Sequence, residues 1–219
     1  MIEAVKEWTD VYHPELDRLL QGCTSLLDVG CGSSSPVQKL KNRPPRIVGV
    51  DGFGPSIEVS REKGIHDDYV QTDLRNVDKF FPKDSFDCVT LLDVIEHFPK
   101  EEGFALLEKL ETIAKRRVIV FTPNGFLPQG AHSGNELQRH LSGWTVEEMR
   151  ALGYEVIGMN GWKKLRGEFG LIRLRPSWFW LIISRLTQPL VRNRPEHAFA
   201  LLCVKDLEVS NPKAPHITE

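Results

Sequence analysis

Apolar residues in this chain fall in short runs closed by a glycine or a carboxylate, with longer amphipathic stretches between them. Runs of four to six residues rich in Val, Ile and Leu read as strands buried on both faces. They lie at 25–29, 46–50, 68–71, 86–91 and 117–122, with two more near 154–160 and 197–205. Apolar spacing of three and four residues predicts helices over 36–41, 56–63, 101–114 and 145–152. One or two further helices precede Gln21, with a break near Pro14. Strand alternating with helix predicts an α/β fold, a doubly wound and mostly parallel sheet covered by helices on both faces.

The sharpest local signal follows the first strand. Asp28-Val29-Gly30-Cys31-Gly32 closes it in a glycine turn, and Asp51 ends the second strand about twenty residues on. Glycine lets backbone N–H groups approach a ligand closely, and a later acid can grip a ribose diol, so the pair suits an adenosine cofactor. A dinucleotide would set its pyrophosphate against Asp28, and Ser35 stands where its third glycine belongs. S-adenosylmethionine carries a sulfonium and an ammonium instead of phosphate, so the sign of the charge favours it over a nicotinamide dinucleotide.

With these motifs the chain resembles the class I S-adenosylmethionine-dependent methyltransferases, in particular the type 11 methyltransferase domain, over about 20–152. Asp73 in Val70-Gln71-Thr72-Asp73-Leu74 and the block Asp93-Val94-Ile95-Glu96-His97 match its later motifs in order. The resemblance implies seven strands with an antiparallel last strand, and S-adenosylmethionine as cofactor with S-adenosylhomocysteine as product. It implies a cofactor site of Asp28, Gly30, Cys31, Gly32, Asp51, Gly52, Asp73, Leu74, Asp93 and Val94. Asp28 would organise the ammonium end, Asp51 the ribose hydroxyls and Asp73 the adenine amino group. Glu96 and His97 read first as residues that cap a helix or tie loops together, with His97 also offered to the substrate. No further ligand spacing accompanies them, so no metal is expected.

The segment 124–143 is long for a connection and holds four glycines; at a strand's carboxyl end it should lie over the ligand crevice. It runs into Gln138-Arg139-His140-Leu141-Ser142-Gly143-Trp144-Thr145, which is similar to a stretch in sugar- and lipid-pathway members of the family. Thr145 with Glu148 is a capping box. His140 is the candidate general base for a hydroxyl acceptor, with a loop-anchoring hydrogen bond as the alternative. Asn124, Gln138 and Trp144 join His97 as candidate substrate contacts.

At 219 residues with 41% hydrophobic content, one domain over 1–210 is expected, with a polar tail over 211–219 that reads as disordered. Net charge is −2, but 161–194, an insertion between the last two strands, carries eight basic residues against the single acid Glu168. That segment is +7, and the remainder −9. Within it, Trp178-Phe179-Trp180 opens an apolar helix flanked by arginines, so over 173–192 a lid, a homodimer contact and a peripheral membrane contact all stay open. The tryptophans do not interleave with the basic residues, which argues against nucleic acid. Cys23, Cys31, Cys88 and Cys203 lack paired spacing and read as reduced thiols; with no leader or spanning segment evident, a cytoplasmic location is expected. The expected activity is methyl transfer to a small or lipid- or sugar-linked metabolite. A non-catalytic binding subunit and a nicotinamide-dependent oxidoreductase are the alternatives.

Overall fold

The structure, a computed structural model, describes residues 10–130, 135–167 and 170–207. Seven strands form one sheet: β1 (Ser25–Val29), β2 (Arg46–Asp51), β3 (Asp68–Gln71), β4 (Phe86–Leu92), β5 (Ala114–Pro123), β6 (Glu155–Trp162) and β7 (Ala198–Asp206). Their spatial order is β3-β2-β1-β4-β5-β7-β6. The first five strands pair in parallel, and β7 enters antiparallel between β5 and β6. The helices are α1 (Tyr12–Leu19), α2 (Gly54–Glu62), α3 (Lys100–Ile113), α4 (Val146–Ala151) and α5 (Ser177–Arg192).

Alternation along the strands divides the core into two halves, one on each face of the sheet. Val118 and Val120 of β5, with Leu201 and Cys203 of β7, join Leu106, Leu110 and Met149 from α3 and α4. Ile119 and Phe121, with Leu202 and Val204, join Leu16 and Leu19 from α1 on the other face. A central strand is therefore apolar at most positions, with buried exceptions such as Asp28, Thr90 and Thr122, which is why the strands show as apolar runs in the sequence.

Three local expectations change. Pro14 does not break the first helix: it sits in the opening turn of α1, where a missing N–H costs nothing, and Asp10 accepts from the N–H groups of Tyr12 and His13. The stretch 36–41 forms only the single turn Pro36–Lys39, because the N–H groups of Lys41 and Asn42 are drawn to the Asp17 carboxylate. The cysteines are not all thiols. Cys23 and Cys88 form a disulfide with Cα atoms 6.3 Å apart, while Cys31 and Cys203 stay free and buried. Strand register explains the pairing, since Cys88 lies opposite Leu26, close after Cys23, across a sequence gap of 65. The expected tail over 211–219 lies outside the described residues.

α5 packs in an unusual sense. A bulge between Met159 and Trp162 leaves backbone groups of β6 without a strand partner, and the polar face of α5 supplies them. Gln188 accepts from Gly161 N–H at 3.0 Å and donates to the Gly158 carbonyl at 2.8 Å, while Ser184 donates to the Asn160 carbonyl at 3.0 Å. Ser184, Gln188 and Val191 are the buried face, and Trp178, Phe179, Leu186 and Leu190 point outward, 57%, 42%, 59% and 70% exposed. Two of the cations of this segment serve internal contacts: Arg192 pairs with Glu15, and Arg166 holds the carbonyls of Asn160 and Gly170. Among the described residues no helix is long and apolar enough to cross a membrane.

The seat of α5 depends on Gly158, whose missing side chain makes room for the Val191 carbonyl. Gly158→Ala forces that backbone away and is expected to lower stability by roughly 1–3 kcal/mol, the usual cost of overpacking. Urea unfolding followed by tryptophan fluorescence measures it, and an unchanged midpoint would show that α5 is not seated through this contact.

Candidate active site

Strand order reverses between β1 and β4, so the segments leaving their carboxyl ends diverge and open a crevice. The glycine turn lies at its centre. Gly30 and Cys31 donate to the Val50 carbonyl at 2.7 and 3.0 Å, which locks the turn to β2. Gly30 has φ +76°, and a Cβ there would strike the Val94 side chain; Gly32 has φ +54° and opens onto empty space. Both positions are closed to ordinary side chains, one by contact and both by backbone conformation.

Asp51 ends β2 beside this turn, accepting from Gly32 N–H at 2.9 Å and Phe53 N–H at 2.7 Å. Burial raises its carboxyl above the ordinary aspartate value, against the lowering pull of those N–H groups. Gly30, Gly32, Asp51, Gly52, Asp73 and Leu74 line a cavity of about 280 Å³ together with Val94, Asp93 and His97. Asp73 caps the turn Leu74–Lys79 and pairs with Arg75, whose hydrogen bond lowers its pKa, so it is both a cap and a rim residue. Asp28 and Cys31 line an adjoining cavity of about 460 Å³ that also reaches Asp93 and Gln138. The Asp28 carboxylate is only 1% exposed and accepts from Ser35 at 2.5 Å, Thr90 at 2.8 Å and His66 at 2.9 Å. Its first task is therefore to brace the turn from beneath.

Asp93 stands where the cavities meet, with φ +54°, a conformation a non-glycine residue holds only when its surroundings impose it. The residue is exposed toward the cleft, while loss of hydration around its carboxyl pushes its pKa up to about 7. Beyond it lies a third cavity of about 330 Å³, reached by Asp93, Glu96, His97, Gln138 and His140. The Glu96 carbonyl accepts from Leu141 and Ser142 N–H at 2.8 and 3.0 Å, clasping the long loop to the turn Ile95–His97. This brings His140 against His97, ring centroids 4.9 Å apart, and one ligating atom from each of Glu96, His97 and His140 within 4.8 Å of one another.

The hydrogen bonds fix the imidazoles. Nδ1 of His140 is 2.7 Å from the Leu127 carbonyl, and Nδ1 of His97 is 3.2 Å from the Arg139 carbonyl. A carbonyl can only accept, so each Nδ1 carries the proton and each Nε2 keeps its lone pair. Burial lowers the pKa of both rings, which favours the neutral form. For Glu96, burial and then the charge of Asp93 push the carboxyl well up, while Thr122 donates to it at 3.0 Å. Neither Glu96 nor His97 caps α3, whose N-cap is Pro99; His97 does tie the loop.

Two expected substrate contacts are not in the cleft. Asn124 donates its amide to the carbonyls of Pro195, Glu196 and Ala198, stitching the end of β5 to the approach of β7. Trp144 is fully buried, edge-on to Phe104 and under the Lys100 ammonium, in space that Gly103 leaves open. Their chemistry looked exposed in the linear motif, but strand and core geometry claim both. Conversely, Asn135, Leu137 and Leu141 of the loop line the cleft and were missed, because ordinary loop residues carry no motif. Glu96 enters the third cavity for a reason the sequence hid: its partner His140 is 43 positions from His97.

Residues 27–122 match the family model described as a methyltransferase domain. The chain is 33% identical over 159 residues to the ubiquinone biosynthesis O-methyltransferase of Saccharophagus degradans, covering 62% of this chain and 65% of that protein. It is 32% identical over 78 residues to the protein of the same name from Hahella chejuensis, covering 34% and 32%. The chain thus matches less than two thirds of the length of either relative. A S-adenosylmethionine-dependent methyltransferase structure from Archaeoglobus fulgidus superposes with a TM-score of 0.59 at 17% identity, covering 89% of this chain and 90% of that one, a likeness of fold.

Asp51 is the residue on which cofactor affinity should turn. A carboxylate accepting from a ribose diol makes charge-assisted bonds, so Asp51→Ala is expected to weaken S-adenosylhomocysteine binding by roughly 2–3 kcal/mol. Isothermal calorimetry reads this directly, and unchanged affinity in a folded variant removes Asp51 from the cofactor site.

Proposed function

We propose that this chain is a class I S-adenosylmethionine-dependent methyltransferase that moves the sulfonium methyl group to a hydroxyl oxygen of a small, lipid-linked acceptor. The observation that carries the choice of oxygen is the pair His97 and His140, each with Nδ1 engaged by a carbonyl, on the wall of the cleft beyond Asp93. Methyl transfer is an in-line displacement: the acceptor oxygen bonds to the methyl carbon as the carbon–sulfur bond breaks, and its electron pair neutralises the sulfonium. Most of the work is positioning and exclusion of water. An amine or thiolate acceptor needs little help with its proton, whereas a hydroxyl does. Nitrogen lone pairs beside the donor therefore support a hydroxyl. The relatives named as O-methyltransferases support the same reading.

In this reading the glycine turn and Asp51 hold the donor, Asp93 separates donor from acceptor, and the acceptor hydroxyl faces His140. His140→Ala is expected to lower kcat about a hundredfold or more while S-adenosylhomocysteine affinity stays unchanged. Release of S-adenosylhomocysteine with a lipid-tailed phenol as acceptor measures this. Transfer to a matched amine but not to the phenol would overturn the choice of oxygen.

The lipid-linked part rests on α5. None of its residues lines the three cavities of the cleft, although Gly170 of the same insertion lines the third, and this favours a surface role for the helix over a lid. Trp178, Phe179, Leu186 and Leu190 are exposed, and the segment that carries them also holds Lys163, Lys164, Arg173 and Arg175, a composition suited to the boundary of an anionic membrane. Co-sedimentation with vesicles rich in phosphatidylglycerol is expected, weakened by salt and abolished by the triple change Trp178→Ser, Phe179→Ser and Leu186→Ser. A monomer–dimer equilibrium lost in that variant, with no sedimentation, would assign the face to a second copy instead.

A further inference from the structure

Glu96, His97 and His140 form the densest cluster of ligating side chains among the described residues, and general-base chemistry by His140 uses only one of them. The cluster has the features of a coordination site. One atom from each residue falls within 4.8 Å of the others, so small side-chain movements would bring all three onto a single ion. Each imidazole donates Nδ1–H to a backbone carbonyl, the arrangement by which metal-ligating histidines are oriented through their second nitrogen. Thr122, itself fully buried, orients the Glu96 carboxylate in the same way. Glu96 is 2% exposed, and among the described residues it has no Lys or Arg ion-pair partner. A buried carboxylate in such surroundings calls for a compensating positive charge.

We infer that Glu96, His97 and His140 bind a divalent first-row transition-metal ion on the acceptor side of the cleft. Two imidazole nitrogens and one carboxylate suit Mn²⁺, Fe²⁺, Co²⁺ or Zn²⁺ better than Ca²⁺, which takes oxygen ligands. Three protein ligands leave coordination positions open toward the cavity of about 330 Å³, on the same side as Asp93. An acceptor hydroxyl could fill one of them, and the ion would make its proton easier to lose. That use of the ion rests on the methyl-transfer reading; the binding of the ion does not. His140 then serves as a ligand, and its replacement impairs transfer whichever of its two roles operates.

Binding is tested without any acceptor, on tag-free protein stripped with a chelator. Titration with Co²⁺ alone is expected to give one equivalent of visible d–d absorption, with displacement by Zn²⁺. His140→Ala and Glu96→Gln should each weaken Co²⁺ binding about tenfold or more, a loss at least as large as outer-shell partners produce. Both variants should retain wild-type affinity for S-adenosylhomocysteine, which reports a folded cofactor cleft. Absence of stoichiometric Co²⁺ binding to the wild-type chain overturns the inference, as does Co²⁺ binding of wild-type strength in the two variants. Either result leaves methyl transfer itself standing, and failure of transfer with intact Co²⁺ binding would instead overturn the reading of the function.

Discussion

The Asp28 carboxylate is the constraint on which the crevice depends. A charge almost wholly removed from water is tolerated only when hydrogen bonds replace its hydration, and Asp28 has three such partners from three parts of the chain. Thr90 ties it to β4, Ser35 to the segment after the glycine turn, and His66 to the approach of β3. His66 is itself steadied by Ser60 and Tyr69. The knot sits directly under Gly30 and Gly32, so the turn cannot shift without breaking bonds to a buried charge. Removing any one partner leaves part of that carboxylate unsatisfied, which is more costly than the loss of an ordinary surface bond.

How much of this was legible follows from what each signal depends on. The strands were readable to within a few residues because burial on both faces makes most positions apolar, a purely local requirement. Asp51 closes the apolar run of β2, a local signal, whereas Asp73 lies two residues beyond β3 and caps the following turn. The assembly of Glu96, His97 and His140 was not, since it exists only once the Glu96 carbonyl has captured the backbone of Leu141 and Ser142. Trp144 was misplaced for a related reason: a tryptophan in a loop motif looks available until Gly103 on α3 is seen to make space for it. The Cys23–Cys88 pairing likewise depends on the register of β1 against β4, which no spacing rule reveals.

α5 shows the same division between pattern and context. Its apolar composition predicts a helix, but composition alone suggests that the apolar face turns inward. The β6 bulge reverses this, because backbone groups left by the broken ladder need hydrogen bonds more than the sheet edge needs apolar cover. Ser184 and Gln188 meet that need, and the tryptophan, phenylalanine and leucines must then face out. The helix is held by polar contacts together with Val191 and the half-buried Trp180, Leu181, Ile182 and Ile183, and it still leaves Trp178, Phe179, Leu186 and Leu190 exposed.

The cleft as a whole sorts charge by location. Asp51 and Asp73 line the cavity beside the glycine turn, where a sulfonium cofactor would bring positive charge and a ribose would bring donors. On the far side the carboxylate of Glu96 lies near two imidazoles whose pKa burial lowers, which favours their neutral form. Asp93, held in a strained conformation between the two, faces both. Positive charge on the acceptor side would therefore be attracted by Glu96 and Asp93 and would meet no cation among the cluster's own side chains. A cation there would also neutralise a carboxylate that burial otherwise drives toward its protonated form. The electrostatics of the acceptor wall are incomplete in the same place where the geometry leaves room for an ion.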